Sequence, residues 1–183
     1  WQRIVTKGNA ITTTFYDVML RPVLSDVSIS GTSTNLSTVT GYDWRNQKIF
    51  AAYPVSSSPD VGAALTGVRT TYDALGRLTQ TQQDSELGAL TTKVSYLSGA
   101  QQQVMDPKGN TTTVTYQVFD QPLYDAPIQM QAPEGINQAI TRDLYGNPRA
   151  IRQWGNGVDV TKKLAYDNFH HLCRTTEPET GNE

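Results

Sequence analysis

The sequence is poor in most features that carry chemistry. It has one cysteine, Cys173, so an internal disulfide and a cysteine zinc cluster are both excluded. Its two histidines, His170 and His171, are adjacent, and no third exists to complete a metal site. Fifteen basic against seventeen acidic residues leave a net charge of −2. Without a basic excess, nucleic acid is not an expected partner. Apolar runs are only a few residues long, so no membrane span is expected. Glu is scarce, 5 residues against 12 Asp, a bias toward turns over helices.

What is abundant suits strands. The 183 residues include 24 Thr and 11 Ser, and Thr, Val and Ile together number 46. β-Branched side chains are stiff at χ1 and fit a pleated surface better than a helix. Gly (14) and Pro (9) supply turns. The chain opens at Trp1 and closes in the turn-like run 180–183, and it reads as an excised part of a longer protein.

One motif recurs. Its clearest copy is Tyr72-Asp73-Ala74-Leu75-Gly76-Arg77-Leu78. Tyr166-Asp167 with Leu172 repeats three of its positions, and Tyr16-Asp17 with Arg21 another three. Tyr42-Asp43 opens the same way, and Arg142-Asp143 with Gly146 keeps Asp and Gly. Tyr116 begins a weaker copy, and Tyr96 the weakest. The anchors at 16, 42, 72, 96, 116, 142 and 166 are separated by 26, 30, 24, 20, 26 and 24 residues. This variable period predicts one array over 1–183 of about seven repeats with connecting loops of unequal length.

Each unit reads as strand, turn, strand, turn. Thr111–Tyr116 and Leu90–Tyr96 alternate as strands do. Asp-x-x-Gly is a turn, with Asp bonding its own backbone and Gly free to take a positive φ. Arg77–Gln83 is the returning strand. A second turn closes the unit: Asp106-Pro107-Lys108-Gly109-Asn110 is the best example, with 132–135 and 177–181 as variants. Gly155-Asn156-Gly157-Val158 carries an Asn-Gly hairpin signal. Seven units predict roughly fourteen strands in an all-β meander of consecutive antiparallel hairpins. A polar loop at 56–60 and a helical turn at 61–65 are the only departures expected.

Tyr72–Leu78, with Asp106–Asn110 and the strand that follows it, resembles the YD repeat of RHS (rearrangement hot spot) proteins. The tail 172–181 is similar to bacterial RHS sequence, and the resemblance thins before about residue 40. It implies a sheet that curls and spirals into a hollow shell around a C-terminal effector, often a toxin. The chain would then be a segment of shell wall, secreted or at the bacterial cell surface. Its partners would be flanking repeats of the same polypeptide and the enclosed effector. No cofactor is implied, and no match to the family's autoproteolytic aspartate motif is found. Open sheets beyond about ten strands usually curl or close, which agrees with a shell.

Little else asks for chemistry. His170 and His171 fill the slots of Gly76 and Arg77, and on a strand they would point to opposite faces. Cys173 has His171 two residues away but no oxyanion feature. Asp17, Asp43, Asp73, Asp143 and Asp167 all follow the anchor position, and Asp106 opens the other turn, so these carboxylates read as turn residues and not as a catalytic pair. No enzyme activity is expected. The recurring Tyr residues read as packing. The alternative to a shell is an adhesive or carbohydrate-binding surface module, with Trp44 and Trp154 as stacking platforms. Asn35-Leu36-Ser37 and Asn110-Thr111-Thr112 match the N-glycosylation pattern.

Overall fold

A computed structural model describes residues 1–56, 59, 64–178 and 181–182. The loop and helical turn expected at 56–65, and the closing turn at 177–181, lie largely outside the described residues. The strands are β1 (Gln2–Lys7), β2 (Ala10–Tyr16), β3 (Pro22–Ile29), β4 (Asn35–Tyr42), β5 (Lys48–Ala52), β6 (Gly67–Tyr72), β7 (Leu78–Ser85) and β8 (Gly88–Leu97). They continue as β9 (Gln101–Met105), β10 (Thr111–Val118), β11 (Pro122–Gln131), β12 (Asn137–Arg142), β13 (Pro148–Gly155), β14 (Val158–Tyr166), β15 (Leu172–Glu177) and β16 (Gly181–Asn182). Among the described residues sixteen strands stand where about fourteen were expected. β1 precedes the first anchor and β16 follows the last unit. The protein is all-β, with strand order following chain order. No helix among the described residues is long and apolar enough to cross a membrane.

The chain divides into two compact units, Trp1–Thr92 and Lys93–Glu183, with the division inside β8. In the first, β1 to β7 pair antiparallel in succession. Leu24, Val39 and Ala52 form its small core, with Phe15, Phe50 and Leu65 packed against them. The chain beyond β5 helps to enclose Ser37, which is fully buried. Val55 and Ser37 exchange both backbone hydrogen bonds, at 2.8 and 2.9 Å. Gly67 begins β6 where this excursion returns. A Cβ there would lie 2.2 Å from the Ala51 carbonyl oxygen and 2.8 Å from Ala52 Cα. Only glycine permits that approach of β6 to β5.

In the second unit β8 to β16 pair the same way. The register of β10 on β11 slips on both sides of Tyr116, and Tyr124 to Ala126 have no partner across the ladder. That slip sets Tyr124 edge-on against Tyr116 and Tyr96, with ring centroids 5.1 and 5.9 Å apart. Tyr116 is the buried member and donates its hydroxyl to Gln102 Oε1 at 2.8 Å. Burial pushes its pKa up, with Tyr124 and Tyr96 adding to the effect.

Sheet faces elsewhere are largely uncovered. Leu24, Val39, Ala52 and Tyr116 are the only buried hydrophobic residues among those described. The accessible surface is 12409 Å² for a 20.2 kDa chain. A compact monomer of that mass would expose about 8,800 Å². Backbone pairing with neighbouring strands therefore carries more of the fold than a core does, as in repeat proteins generally.

Candidate functional site: a ladder of aspartate turns

Six turns share one geometry. In each, an Asp at position i accepts two backbone N–H groups on Oδ1, from residues i+2 and i+4, at 2.8–3.0 Å. The aspartates are Asp17, Asp43, Asp73, Asp106, Asp143 and Asp167. The N–H of i+3 donates to the Asp carbonyl, and the Asp N–H donates to the carbonyl of i+4. This is a type I turn followed by a left-handed residue. The left-handed position holds Gly76, Gly109 and Gly146, but also Leu20, Asn46 and His170, at φ between 59° and 87°. The strand register shifts beside the turn, at Tyr16, Tyr42, Tyr72, Arg142 and Tyr166. The anchor residue thus faces the sixth residue on: Tyr16 faces Pro22, Tyr72 faces Leu78 and Tyr166 faces Leu172.

In every one of these turns but that of Asp43, the side chain at i+4 lies against the second carboxylate oxygen. Arg21 and Arg77 donate Nε to Oδ2 of their aspartates at 2.7 and 2.8 Å. Asn110 and Asn147 donate their amides at 2.8 and 3.3 Å. His171 Nδ1 lies 3.4 Å from Asp167 Oδ2. The pKa values of Asp17 and Asp73 are lowered, first by the backbone N–H of Arg21 and Arg77 respectively and then by their guanidinium groups, against opposing desolvation. Asp106 is lowered first by the Asn110 amide. At Asp143 desolvation is the largest single effect and raises the pKa, but the hydrogen bonds from Asn147 and Tyr145 and the charge of Arg149 together outweigh it, so the pKa is lowered.

Adjacent turns are tied together within each unit. Arg21 Nη1 donates to the Asp43 carbonyl at 2.9 Å, and its guanidinium lies 4.8 Å from the centre of the Tyr42 ring. Arg45 donates to the Ala74 carbonyl at 2.8 Å, and Gln47 to that of Gly76 at 3.1 Å. Tyr72 donates its hydroxyl to Lys48 O at 3.0 Å. In the second unit the Asn147 amide lies 3.5 Å from His170 Nδ1, and the Tyr145 and His170 ring centres are 4.2 Å apart. The bridging roles of Arg45 and Gln47 were missed in the sequence, because only the folded spacing brings residues 29 apart into contact.

Antiparallel succession places the Asp17, Asp43 and Asp73 turns at one end of the first unit. The turns after Tyr96, Tyr116, Arg142 and Tyr166 share one end of the second. Asp106 lies at the opposite end, between β9 and β10, with the same local geometry. Tyr96 and Tyr116 lead into other connections. One contains Gly99 and Ala100 at φ 73° and 55°, and the other lies between the pair Val118 and Pro122.

His170 and His171 lie in the turn before β15, not on a strand as the sequence reading assumed, because the Asp167 carboxylate gathers the chain there. Cys173 is exposed, its thiol 3.4 Å from the Ala165 carbonyl. Trp44 is 81 % exposed, with the Arg45 guanidinium 4.6 Å from its ring centre. Trp154 is half-buried, and the Arg152 guanidinium lies 5.0 Å from its ring. Arg152 also holds Asp159 through two hydrogen bonds. Of the two glycosylation matches, Asn35 is followed by buried Ser37, and the Asn110 amide is bonded to Asp106. Among the described residues no group of three His, Cys, Asp or Glu could hold a metal ion.

No family model matches the chain, and no curated protein matches it. Among solved structures, the crystal structure of TcdB2-TccC3 without its hypervariable C-terminal region aligns with 93% of this chain at 13% identity and a TM-score of 0.53. TcdB2-TccC3-TEV and TcdB2-TccC3-Cdc42 align with 95% and 87% of the chain at 10% and 12% identity, but their TM-scores of 0.31 and 0.26 carry no argument. The chain spans about a tenth of the length of the TcdB2-TccC3 chains it matches. The protein therefore shares the fold of part of the TcdB2-TccC3 chain.

Proposed function

We propose that this chain is a length of wall in an RHS-type shell that encapsulates and delivers a C-terminal effector or toxin. One observation carries the reading: strands follow one another in chain order with almost no buried core, in a fold shared with a toxin-complex chain. A wall must be solvated on both faces, and Thr, Ser and Gln side chains tolerate that where a sandwich core would not. The ladder of aspartate turns keeps each hairpin in step with the next. The segment acts without catalysis of its own, its recurring carboxylates being occupied by backbone N–H groups. It is secreted by, or displayed on, a bacterium, and flanking repeats pair with its first and last strands.

Limited proteolysis of the intact natural polypeptide tests this. A C-terminal region should resist cleavage until denaturant opens the repeats, and should be cut quickly when produced alone. Equal cleavage rates in both settings, or a polypeptide with no region beyond the repeats, would refute it. The exposure of Trp44 favours one second reading, an adhesive module that stacks on sugar rings. Glycan-array binding that Trp44→Ala abolishes would move the assignment there.

A further inference from the structure

The two ends of the strands carry the same aspartate turn with different tips. At Asp106 the two residues after the aspartate are Pro107 and Lys108. In the three aspartate turns at one end of the first unit the same two positions hold Val18 and Met19, Trp44 and Arg45, and Ala74 and Leu75. In the two at the other end of the second unit they hold Leu144 and Tyr145, and Asn168 and Phe169. Every one of the five thus carries at least one large apolar residue: Val18, Met19, Trp44, Leu75, Leu144, Tyr145 and Phe169. Their exposures are 96, 58, 81, 78, 98, 75 and 79 % in that order. Phe119, in the connection between β10 and β11 at that end, is 74 % exposed. Turn geometry does not call for these side chains. Asp106 makes the same hydrogen bonds around a polar tip, and type I turns accept most residues. Among the described residues, tips at the opposite end are mostly polar or small, at Asn9, Thr32, Lys108, Glu134 and Asn156, with Leu87 and Ile136 as large apolar exceptions. Scattered exposed apolar residues need no explanation, but a row that recurs turn after turn does.

We propose that the apolar tips in each unit form an interface for a second copy of this chain, joined tip row to tip row. Adjacent tips stand two strand widths apart, about 10 Å. An identical row has the same interval, so side chains of one copy can seat between those of the other about a two-fold axis. Each exposed aromatic or large aliphatic tip offers on the order of 100–200 Å². One unit's row against its equal would cover on the order of 1,000 Å², where specific interfaces begin. In the first unit's turns Asp17, Asp43 and Asp73 are matched in number by Arg21, Arg45 and Arg77, with Asp17–Arg21 and Asp73–Arg77 in ion pairs; in the second Asp143 pairs with Arg149 and Asp167 has His171 beside it. Facing rows of the first unit therefore bring no net charge together. The same balance disfavours an anionic membrane, which requires basic excess. The interface does not depend on what the repeats enclose.

Sedimentation of the 183-residue chain tests it. The parent should associate, and the combined variant Val18→Ser, Trp44→Ser, Leu75→Ser, Leu144→Ser, Phe169→Ser should associate about tenfold or more weakly with unchanged circular dichroism. Leu87→Ser, at the opposite end, should behave as the parent. Should the combined variant fail to fold, Trp44 serves as its own probe. With Trp1→Phe and Trp154→Phe in place, its emission should shift to the blue as concentration rises. Four outcomes would overturn the proposal: a parent that stays monomeric, equal association by the combined variant, loss of association only with Ile4→Lys on the open β1 edge, or a monomer that binds phosphatidylcholine–phosphatidylglycerol vesicles through these tips.

Discussion

Gly67→Ala probes whether strand pairing carries this fold. Gly67 has no positive φ, so backbone strain is not its role. An added Cβ would stand 2.2 Å from Ala51 O, 2.8 Å from Ala52 Cα and 2.9 Å from Ala51 C. All three are backbone atoms of β5, so no rotamer change relieves the contact. Ordinary van der Waals separation requires β5 and β6 to part by about an ångström, across the register Ala52 to Gly67 and Ala51 to Val68. Overpacking of this kind costs about 3 kcal/mol at the upper end of its usual range. With a urea slope of about 2 kcal/mol/M, the unfolding midpoint should fall by about 1.5 M. Gly76→Ala provides the contrast. Its φ is +80°, but its near neighbour is the flexible Gln47 amide at 2.9 Å, so about 1–2 kcal/mol is expected from the left-handed backbone alone. Both are read by tryptophan fluorescence in urea. A Gly67→Ala midpoint equal to the parent's would show that β5 and β6 do not meet as described.

The lowered pKa values of Asp17, Asp73 and Asp106 make stability depend on acid. A carboxylate whose folded pKa lies below its unfolded value contributes fully above that value and loses its contribution as pH falls through the folded one. The urea midpoint should therefore be insensitive to these groups above the unfolded value of 3.8 and drop below it; no drop on acidification would show that the carboxylates do not hold the turns. Leu24→Ala should cost about 3 kcal/mol, whereas Leu87→Ala, at a 96 % exposed position, should stay within about 0.5 kcal/mol; equal losses in urea would dissolve the claim of one small core. Leu20 sits at φ 59° in a slot that three of the other turns fill with glycine. Leu20→Gly should raise stability by about 0.5 kcal/mol, the left-handed penalty less the entropy of glycine, and a lowered midpoint would count against strain there.

What the sequence determined by itself is local. An Asp and the backbone N–H groups two and four residues on are joined by one short stretch of chain. The turns at Asp73 and Asp106 were therefore legible without any tertiary knowledge, and the alternating Thr and Val on either side of them were legible as strands. The parity of antiparallel hairpins then followed, placing Tyr16, Tyr42 and Tyr72 at one end. Tertiary structure decided what depends on residues far apart in the chain. The donations from Arg45 and Gln47 to the next turn exist only because two strands separate the turns in space. The small core of Leu24, Val39 and Ala52 exists only where these strands and their packed neighbours meet. No period in the sequence marks Gly67, since its need for glycine is set by Ala51 of another strand. His170 and His171 show the same division: their repeat slot was readable, but their place in a turn was fixed by where the Asp167 carboxylate draws the chain. Short-range hydrogen bonds are written in neighbouring residues, whereas packing belongs to pairs that only folding brings together.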